Sequence, residues 1–459
     1  MSLKVRLAFM NFLQLFVWGA WLITIANYWF GTKQWDGTKF GLIFSTMGFA
    51  SLIMPTLAGI VADRWINAEK LYGVLHIAYA VVLFYLPQVA DPNTFFWVML
   101  AAMACYMPTM ALNNSISYTI LKSNNYDVVK DFPPIRVWGT VGFIVAMWIT
   151  NLSGNKATEF QFYIAGVVAL ILGLYAIFTL PACKPQRTID ENASLTQMLG
   201  LDAFKLFANY KMALFFIFAM FLGGALQLTN AYGDVFLDEF KHFPKYADSF
   251  VVEYSTIIMS ISQVSETLFI LAIPFFLKRY GIKNVMLISM LAWVLRFGLL
   301  GFSNPADSLW MIILSCIVYG MAFDFFNISG SLFVETTTDS KIRSSAQGLF
   351  MMMTNGFGAV FGSLTSGWLI DKYFTKSFGS TTELASFLDT TTDNELMLKF
   401  INERGITVAA NGVFDNPLLF KDWHNIWLTF AAYALVIAIF FALLFKHKHD
   451  PKAVENISH

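Results

Sequence analysis

Glu266 stands in the middle of an apolar run over residues 250–277, with Gln263 three residues before it. On a helix that spacing sends both polar side chains out from one face. A carboxylate at the centre of a bilayer costs several kcal/mol unless it is protonated, paired or facing water. It can act as a neutral hydrogen-bonding group toward a neighbouring helix, or it can belong to the path of an ion or a polar substrate, the usual place of intramembrane ionisable groups. Other apolar runs offer partners. Arg136, Thr140 and Phe143 recur at i, i+4 and i+7, and Gln227 and Asn230 at i and i+3. Tyr319, Phe323 and Asn327 stand at i, i+4 and i+8, with Asp324 adjacent. Gln14 with Trp18, and Asn113 and Asn114 with Ser117, add polar groups in two further runs. One-sided polarity in several spans implies a shared water-filled cavity.

Amides and carboxylates satisfy the hydroxyls of a sugar, and aromatic rings stack on a planar base or a sugar face. No cluster of lysines or arginines is present to hold phosphates, which argues against a charged nucleotide. A proton step is expected on Glu266, with Asp324 as the alternative and Arg136 as the cation whose approach and withdrawal release and restore the proton. Each residue also has a plainer role open to it. Arg136 follows Asp131-Phe132-Pro133-Pro134, which reads as a helix start, and from there its side chain can snorkel to the surface. Gln227 and Asn230 can hold helices together, and Tyr319 and Phe323 can be core. Arg296 has no evident acidic partner and reads as snorkelling toward the outer end, while His76 reads as a hydrogen-bonded core histidine.

The elements that must position these residues are membrane spans. At 57% hydrophobic and only 13% charged, 459 residues do not make a soluble domain. Runs of about twenty apolar residues between short polar breaks read as an all-α polytopic membrane protein of twelve transmembrane helices. The expected limits are 7–30, 40–62, 71–89, 95–121, 134–152 and 161–181, then 210–236, 250–277, 284–302, 309–334, 344–371 and 424–445. The first run is too long for a signal core and lacks a small-residue cleavage site, so it reads as the first span. A net charge of zero gives no reason to expect a nucleic-acid partner. Cys105, Cys183 and Cys316 have neither metal spacing nor a disulfide framework, and no cofactor, metal or catalytic residue is expected.

The longest break between the sixth and seventh spans divides the chain into six plus six. The expected units are an N-terminal six-helix bundle over 1–182, a cytoplasmic linker over 183–209 with an amphipathic piece near 195–207, and a C-terminal six-helix bundle over 210–459. Lys and Arg concentrate at the N-terminus, in the even-to-odd breaks and at the C-terminus, among them Arg64, Lys70, Lys122, Lys130, Lys278, Arg279, Lys341, Arg343, Lys446 and Lys448. Both termini are therefore expected on the cytoplasmic side of an inner membrane. Six plus six suggests parallel halves about an axis along the membrane normal. The break at 372–423, rich in Ser, Thr, Asn and Asp, would then face outward, either capping the outer mouth or as a poorly ordered decoration.

Gly59-Ile60-Val61-Ala62-Asp63-Arg64, after the second span, resembles the short acidic-basic loop motif of the major facilitator superfamily, although its usual later glycine and basic cluster are missing. Within that superfamily the chain resembles the nucleoside–proton symporters over nearly its whole length. The segments that carry the likeness are Asp131–Phe143, Ser260–Ile270, Tyr319–Gly330, Ser344–Gly348 and Thr354–Gly358. The resemblance implies a nucleoside site between the halves made by Arg136, Thr140, Phe143, Gln227, Asn230, Gln263, Glu266, Tyr319 and Phe323, the positions that helical spacing also gathers. It departs from the family at the long 372–423 segment. The resulting expectation is a monomeric, proton-coupled nucleoside importer in a lipid bilayer, working by alternating access. A sugar–proton symporter on the same fold is the nearest rival. A non-transporting membrane sensor or enzyme is a more distant one, since the sequence has no His-Glu-x-x-His, nucleophile elbow or phosphate-binding glycine loop.

Overall fold

Apolar runs of this length can satisfy their backbone hydrogen bonds in lipid only within themselves, and the chain accordingly runs through long helices. The computed structural model describes residues 2–185, 201–339 and 342–447. Helix α1 is Leu3–Gly19, α2 Gly37–Arg64, α3 Ala68–Tyr85, α4 Pro92–Ser123, α5 Val128–Leu152 and α6 Phe160–Thr179. After them come α7 Tyr210–Glu239, α8 Ser255–Gly301, α9 Leu309–Thr337, α10 Arg343–Met351 and α11 Ala359–Tyr373. Side-chain caps begin several of them: Asp36 accepts from the Lys39 N–H, Asp91 from that of Thr94, and Asn209 from those of Lys211 and Met212. Helix α5 starts earlier than the Pro133–Pro134 pair suggested, so Arg136 lies beyond its first two turns.

Among the described residues nine helical stretches are long and apolar enough to cross a membrane. Three features separate that number from twelve. The first expected span is broken after α1 and resumes as a π-helical turn, Asn27–Thr32. A second π-helical turn, Met352–Gly358, interrupts the eleventh. The eighth and ninth are joined in α8, whose path breaks at Gly281 (φ 76°), a conformation that glycine reaches without a Cβ penalty. The middle of the expected 183–209 linker, residues 340–341 and the tail beyond 447 lie outside the described residues.

Helices α1–α6 pack chiefly on one another, α1 on α5, α2 on α4, and α3 on α4 and α6. Helices α7–α11 and the last helix, α14 (Trp423–Leu444), form the other set, in which the two limbs of α8 lie against α9. The sets meet where α2 runs along α11 and α5 along α8. Close approach within the first set needs small residues: a Cβ on Gly142 would run into the Phe12 carbonyl, and one on Gly19 would lie 2.6 Å from the Phe143 carbonyl oxygen.

The 372–423 segment is no plain loop. Strand β1 (Thr375–Ser380) pairs antiparallel with β2 (Val413–Lys421), and α12 (Thr381–Phe387) and α13 (Glu395–Glu403) lie between them. Leu384, Leu388, Met397, Phe400, Leu418 and Phe420 form a core of their own. Apolar residues at helical spacing inside a polar composition make this possible, with the polar groups turned outward. The unit sits at the end of the bundle opposite the described termini and reaches the first helix set through Arg404, which donates to the Phe30 carbonyl at 3.1 Å. Lys421 lies 3.6 Å from the centre of the Phe30 ring. Burial pushes the Lys421 ammonium down from its ordinary value, against the pull of the Glu239 carboxylate.

The α1–α5 contact gives a direct test. Gly142→Val inserts a branched side chain against the Phe12 carbonyl, and overpacking of this kind costs about 1–3 kcal/mol. A thermal midpoint in detergent several degrees below wild type is expected; an unchanged midpoint would mean that α1 and α5 part at no cost.

Candidate functional site

Helix α5 carries Arg136, Thr140 and Phe143 along one face. Arg136 is exposed, Thr140 half-buried, and Phe143 buried edge-on to Trp18 with ring centroids 6.3 Å apart. From the other set, α7 brings Gln227 and Asn230, the first limb of α8 brings Gln263 and Glu266, and α9 brings Tyr319, Phe323 and Asp324. Gly320 lets α9 press on α8: a Cβ there would lie 2.6 Å from the Ser265 carbonyl oxygen and 2.8 Å from the Glu266 nitrogen. The Ser265 hydroxyl donates to the Ile317 carbonyl across the same contact. Glu266 is thereby set beside Tyr319, whose ring stacks on Phe323 (5.9 Å, 7°).

Arg136, Glu266 and Asp324 are near enough to act on one another electrostatically, yet among the described residues no direct ion pair joins Arg136 to either carboxylate. Arg136 is exposed, whereas Glu266 is half-buried and Asp324 buried. Gln227 Oε1, Gln263 Oε1, Asp324 Oδ2 and Trp18 Nε1 are buried without a hydrogen-bond partner. A buried amide or carboxylate oxygen without a partner costs about 1–3 kcal/mol, and a ligand hydroxyl or N–H can remove that cost. The grouping offers acceptors, one guanidinium and a flat aromatic face. Among the described residues no group of His, Cys, Asp or Glu could hold a metal ion.

The polar residues of the first set behave differently. Gln14 donates to Thr109 at 2.9 Å and accepts from Tyr72 at 2.5 Å, and Asn113 donates to Asn11 at 2.8 Å. Gln14 and Asn113, expected to line a cavity, bind helix to helix instead, while Trp18 Nε1 stays unpartnered. His76 is buried against the Tyr72 carbonyl at 3.0 Å, as a core histidine. Arg296, expected to snorkel, is fully buried.

Helical spacing also missed a polar seam between the sets at the capped end. Lys156 pairs with Asp238 at 2.7 Å and donates to the Val252 carbonyl and Ser255 hydroxyl at 2.9 and 3.0 Å. Asn27 donates to Asp234 at 2.5 Å, and Asn151 to the Glu253 carbonyl at 3.0 Å. Asp371 accepts from the Gly37 N–H at 3.0 Å and from Thr38, capping α2 across the junction. The available signal was Asp234 and Asp238, one turn apart at the end of an apolar helix, but nothing in the sequence pairs them with a lysine some eighty residues upstream. A separate cavity of about 420 Å³ lies beneath the cap between Phe236, Phe240, Phe420 and Trp423; its walls include none of the candidate residues.

With this geometry in place, the chain can be set beside known proteins. The family described as nucleoside H+ symporter matches residues 1–450. The chain is 47% identical to the xanthosine permease of Escherichia coli (strain K12) over 457 residues, 99% of each sequence. It is 45% identical to the nucleoside permease NupG of the same organism over the whole of both. A crystal structure of the nucleoside transporter NupG superposes with a TM-score of 0.81, covering 98% of this chain and 100% of that one.

The polar seam is open to test by Lys156→Ala. Asp238 keeps Lys241 at 2.6 Å but loses its cross-set partner, a loss of about 1–3 kcal/mol for a charge-assisted bond. Amide hydrogen exchange at residues 27–30 and 234–238 is expected to quicken while α3 and α6 stay protected. Equal exchange in variant and wild type would show that the pair does not hold this end shut.

Proposed function

The chain belongs to the nucleoside H+ symporter family, and on that premise we propose that it imports nucleosides with protons across the cytoplasmic membrane by alternating access. The observation that carries the reading is one grouping: Arg136, Glu266 and Asp324 beside the stacked Tyr319 and Phe323, with the Gln227 and Gln263 oxygens left unpartnered. Gln227, Asn230, Gln263 and Glu266 take the ribose hydroxyls and base edges. Phe143, Tyr319 and Phe323 stack or wall the base, and Thr140 and Arg136 close the site from α5. Glu266 carries the proton, with Asp324 as the alternative carrier, and Arg136 moves toward and away from it as the bundles rock.

The membrane topology belongs to the same proposal. Counting the two runs broken by π-helical turns and both limbs of α8 gives twelve spans, in two six-helix bundles over 1–182 and 210–459. The termini are then cytoplasmic, and the cap over 372–423 covers the outer mouth. The polar seam holds the two sets together at the capped end, which on this reading is the outer one. Uptake of labelled uridine and adenosine into cells lacking their own transporters, with and without a protonophore, tests the whole reading. Accumulation that collapses with the proton gradient is expected, and indifference to the protonophore would refute proton coupling.

Two substitutions separate binding from coupling. Gln227→Ala or Asn230→Ala removes a hydrogen bond to a buried ligand group, worth about 1–3 kcal/mol, and so about ten- to hundredfold in nucleoside affinity. Wild-type affinity in the folded variants would return both amides to holding helices together.

Glu266→Gln keeps size and hydrogen-bonding capacity but cannot exchange a proton. It is expected to abolish uphill accumulation while sparing some nucleoside exchange down a gradient. Protonophore-sensitive accumulation retained in Glu266→Gln and lost in Asp324→Asn would move the proton to α9.

A further inference from the structure

Arg296, on the second limb of α8, is fully buried, and among the described residues it has no carboxylate partner. Its Nε donates to the Thr229 hydroxyl at 3.3 Å, and its Nη1 to the Ser315 carbonyl at 2.7 Å and the Ser262 hydroxyl at 3.4 Å. Nη2 has no partner. The guanidinium carbon lies 4.6 Å from the centre of the Tyr319 ring. Ser315 in turn donates back to the Arg296 carbonyl at 3.3 Å, so the two helices are tied at this point in both directions.

The three anchors sit beside the candidate binding residues. Thr229 lies between Gln227 and Asn230 on α7. Ser262 precedes Gln263 and stands one turn before Glu266 on the first limb of α8. Ser315 is one turn before Tyr319 on α9. One cation therefore spans the three helices that supply every candidate residue of the second set. Tyr319 is fixed on several sides: by this guanidinium, by Trp293 edge-on (5.9 Å, 90°) and by the parallel Phe323 ring.

As a device for stability the arrangement is poor. A buried cation is costly to desolvate, its acceptors are neutral, two of the three bonds are long, and an apolar side chain could fill the same volume. What a planar fork supplies that an apolar side chain does not is direction: several donors at fixed angles, and a face that lies on an aromatic ring. We propose that Arg296 is a positioning residue for the nucleoside site, holding Tyr319 and the relative register of α7, α8 and α9 so that the base meets a preformed aromatic face.

The inference rests on the nucleoside reading given above, and the assay separates the two. Binding of labelled nucleoside, the exchange rate at saturation and the thermal midpoint are measured on the purified full chain. The variants are wild type, Arg296→Met, Arg296→Lys, Tyr319→Leu and the double variant Arg296→Met with Tyr319→Leu. If wild type binds no nucleoside, the functional reading fails. If it binds, Arg296→Met is expected to weaken affinity about tenfold or more while keeping the thermal midpoint and the saturated exchange rate. Adding Tyr319→Leu should cause little further loss, because both changes remove the same wall. Arg296→Lys keeps the charge over the ring without the fork and should fall between wild type and Arg296→Met. Wild-type affinity in Arg296→Met, or losses that add in the double variant, would overturn the inference. Should Arg296→Met fail to fold, Arg296→Lys decides alone, and wild-type affinity there overturns the role of the fork.

Discussion

Every polar group placed inside this bundle must be matched by protein or reached by water, because lipid supplies neither donors nor acceptors. That constraint separates the buried polar groups that the protein matches from those it leaves unmatched. In the first set Gln14 is matched by Thr109 and Tyr72, while Trp18 Nε1 and His76 Nε2 are unmatched. At the capped end Asp238 is matched across the junction by Lys156, while Asn27 Oδ1 and Asp234 Oδ1 are unmatched. In the second set, around Glu266 and Asp324, several are unmatched. An unmatched oxygen is costly only while nothing bonds it, and the unmatched oxygens of Gln227, Gln263 and Asp324 are the ones that lie within the proposed site.

The division also explains why helical spacing could gather the candidate residues yet misassign some of their companions. A stripe such as Gln14 and Trp18 looks the same in sequence as the stripe Gln227 and Asn230. The difference lies in the facing helix: Thr109, Met110 and Tyr72 meet Gln14, whereas among the described residues nothing bonds the Gln227 side chain. Arg296 was misread for a related reason. Its partners Thr229, Ser262 and the Ser315 carbonyl are neutral and lie on three other stretches of chain, so a search for a nearby acid could not find them. Of the fold, the long apolar helices were legible from hydropathy alone. The π-helical turns at 27–32 and 352–358, the break at Gly281 and the small hairpin unit near 375–421 were not. Those depend on local backbone geometry and on a core of few residues, which composition averages away.

The breaks fall where the helices have work other than spanning. Asn27, which reaches Asp234, opens one π-helical turn, and Gly356, whose carbonyl lies against Gly48 of α2, is inside the other. An inserted residue in a helix redirects the side chains that follow and leaves a carbonyl free to adapt, which suits a junction whose two sides must come apart. Straight, unbroken helices such as α6 stand away from that junction and pack on their own set, as α6 does on α3.

The chemistry of the polar seam is suited to opening as well as to closing. A buried ion pair gains little net free energy, because desolvation of both ions offsets most of their attraction, and once exposed each ion recovers its hydration. Lys156 and Asp238 therefore fix how the two sets meet without making their separation prohibitively expensive, whereas an apolar seam of equal area would resist wetting at every step. The proposed site has the opposite character: its unmatched oxygens are costly while nothing bonds them and less so once a ligand does. A ligand that satisfies Gln227, Gln263 and the carboxylates together then adds a free-energy term on the scale of the seam itself. Comparable terms at the site and at the seam are what allow occupancy of the one to decide the state of the other.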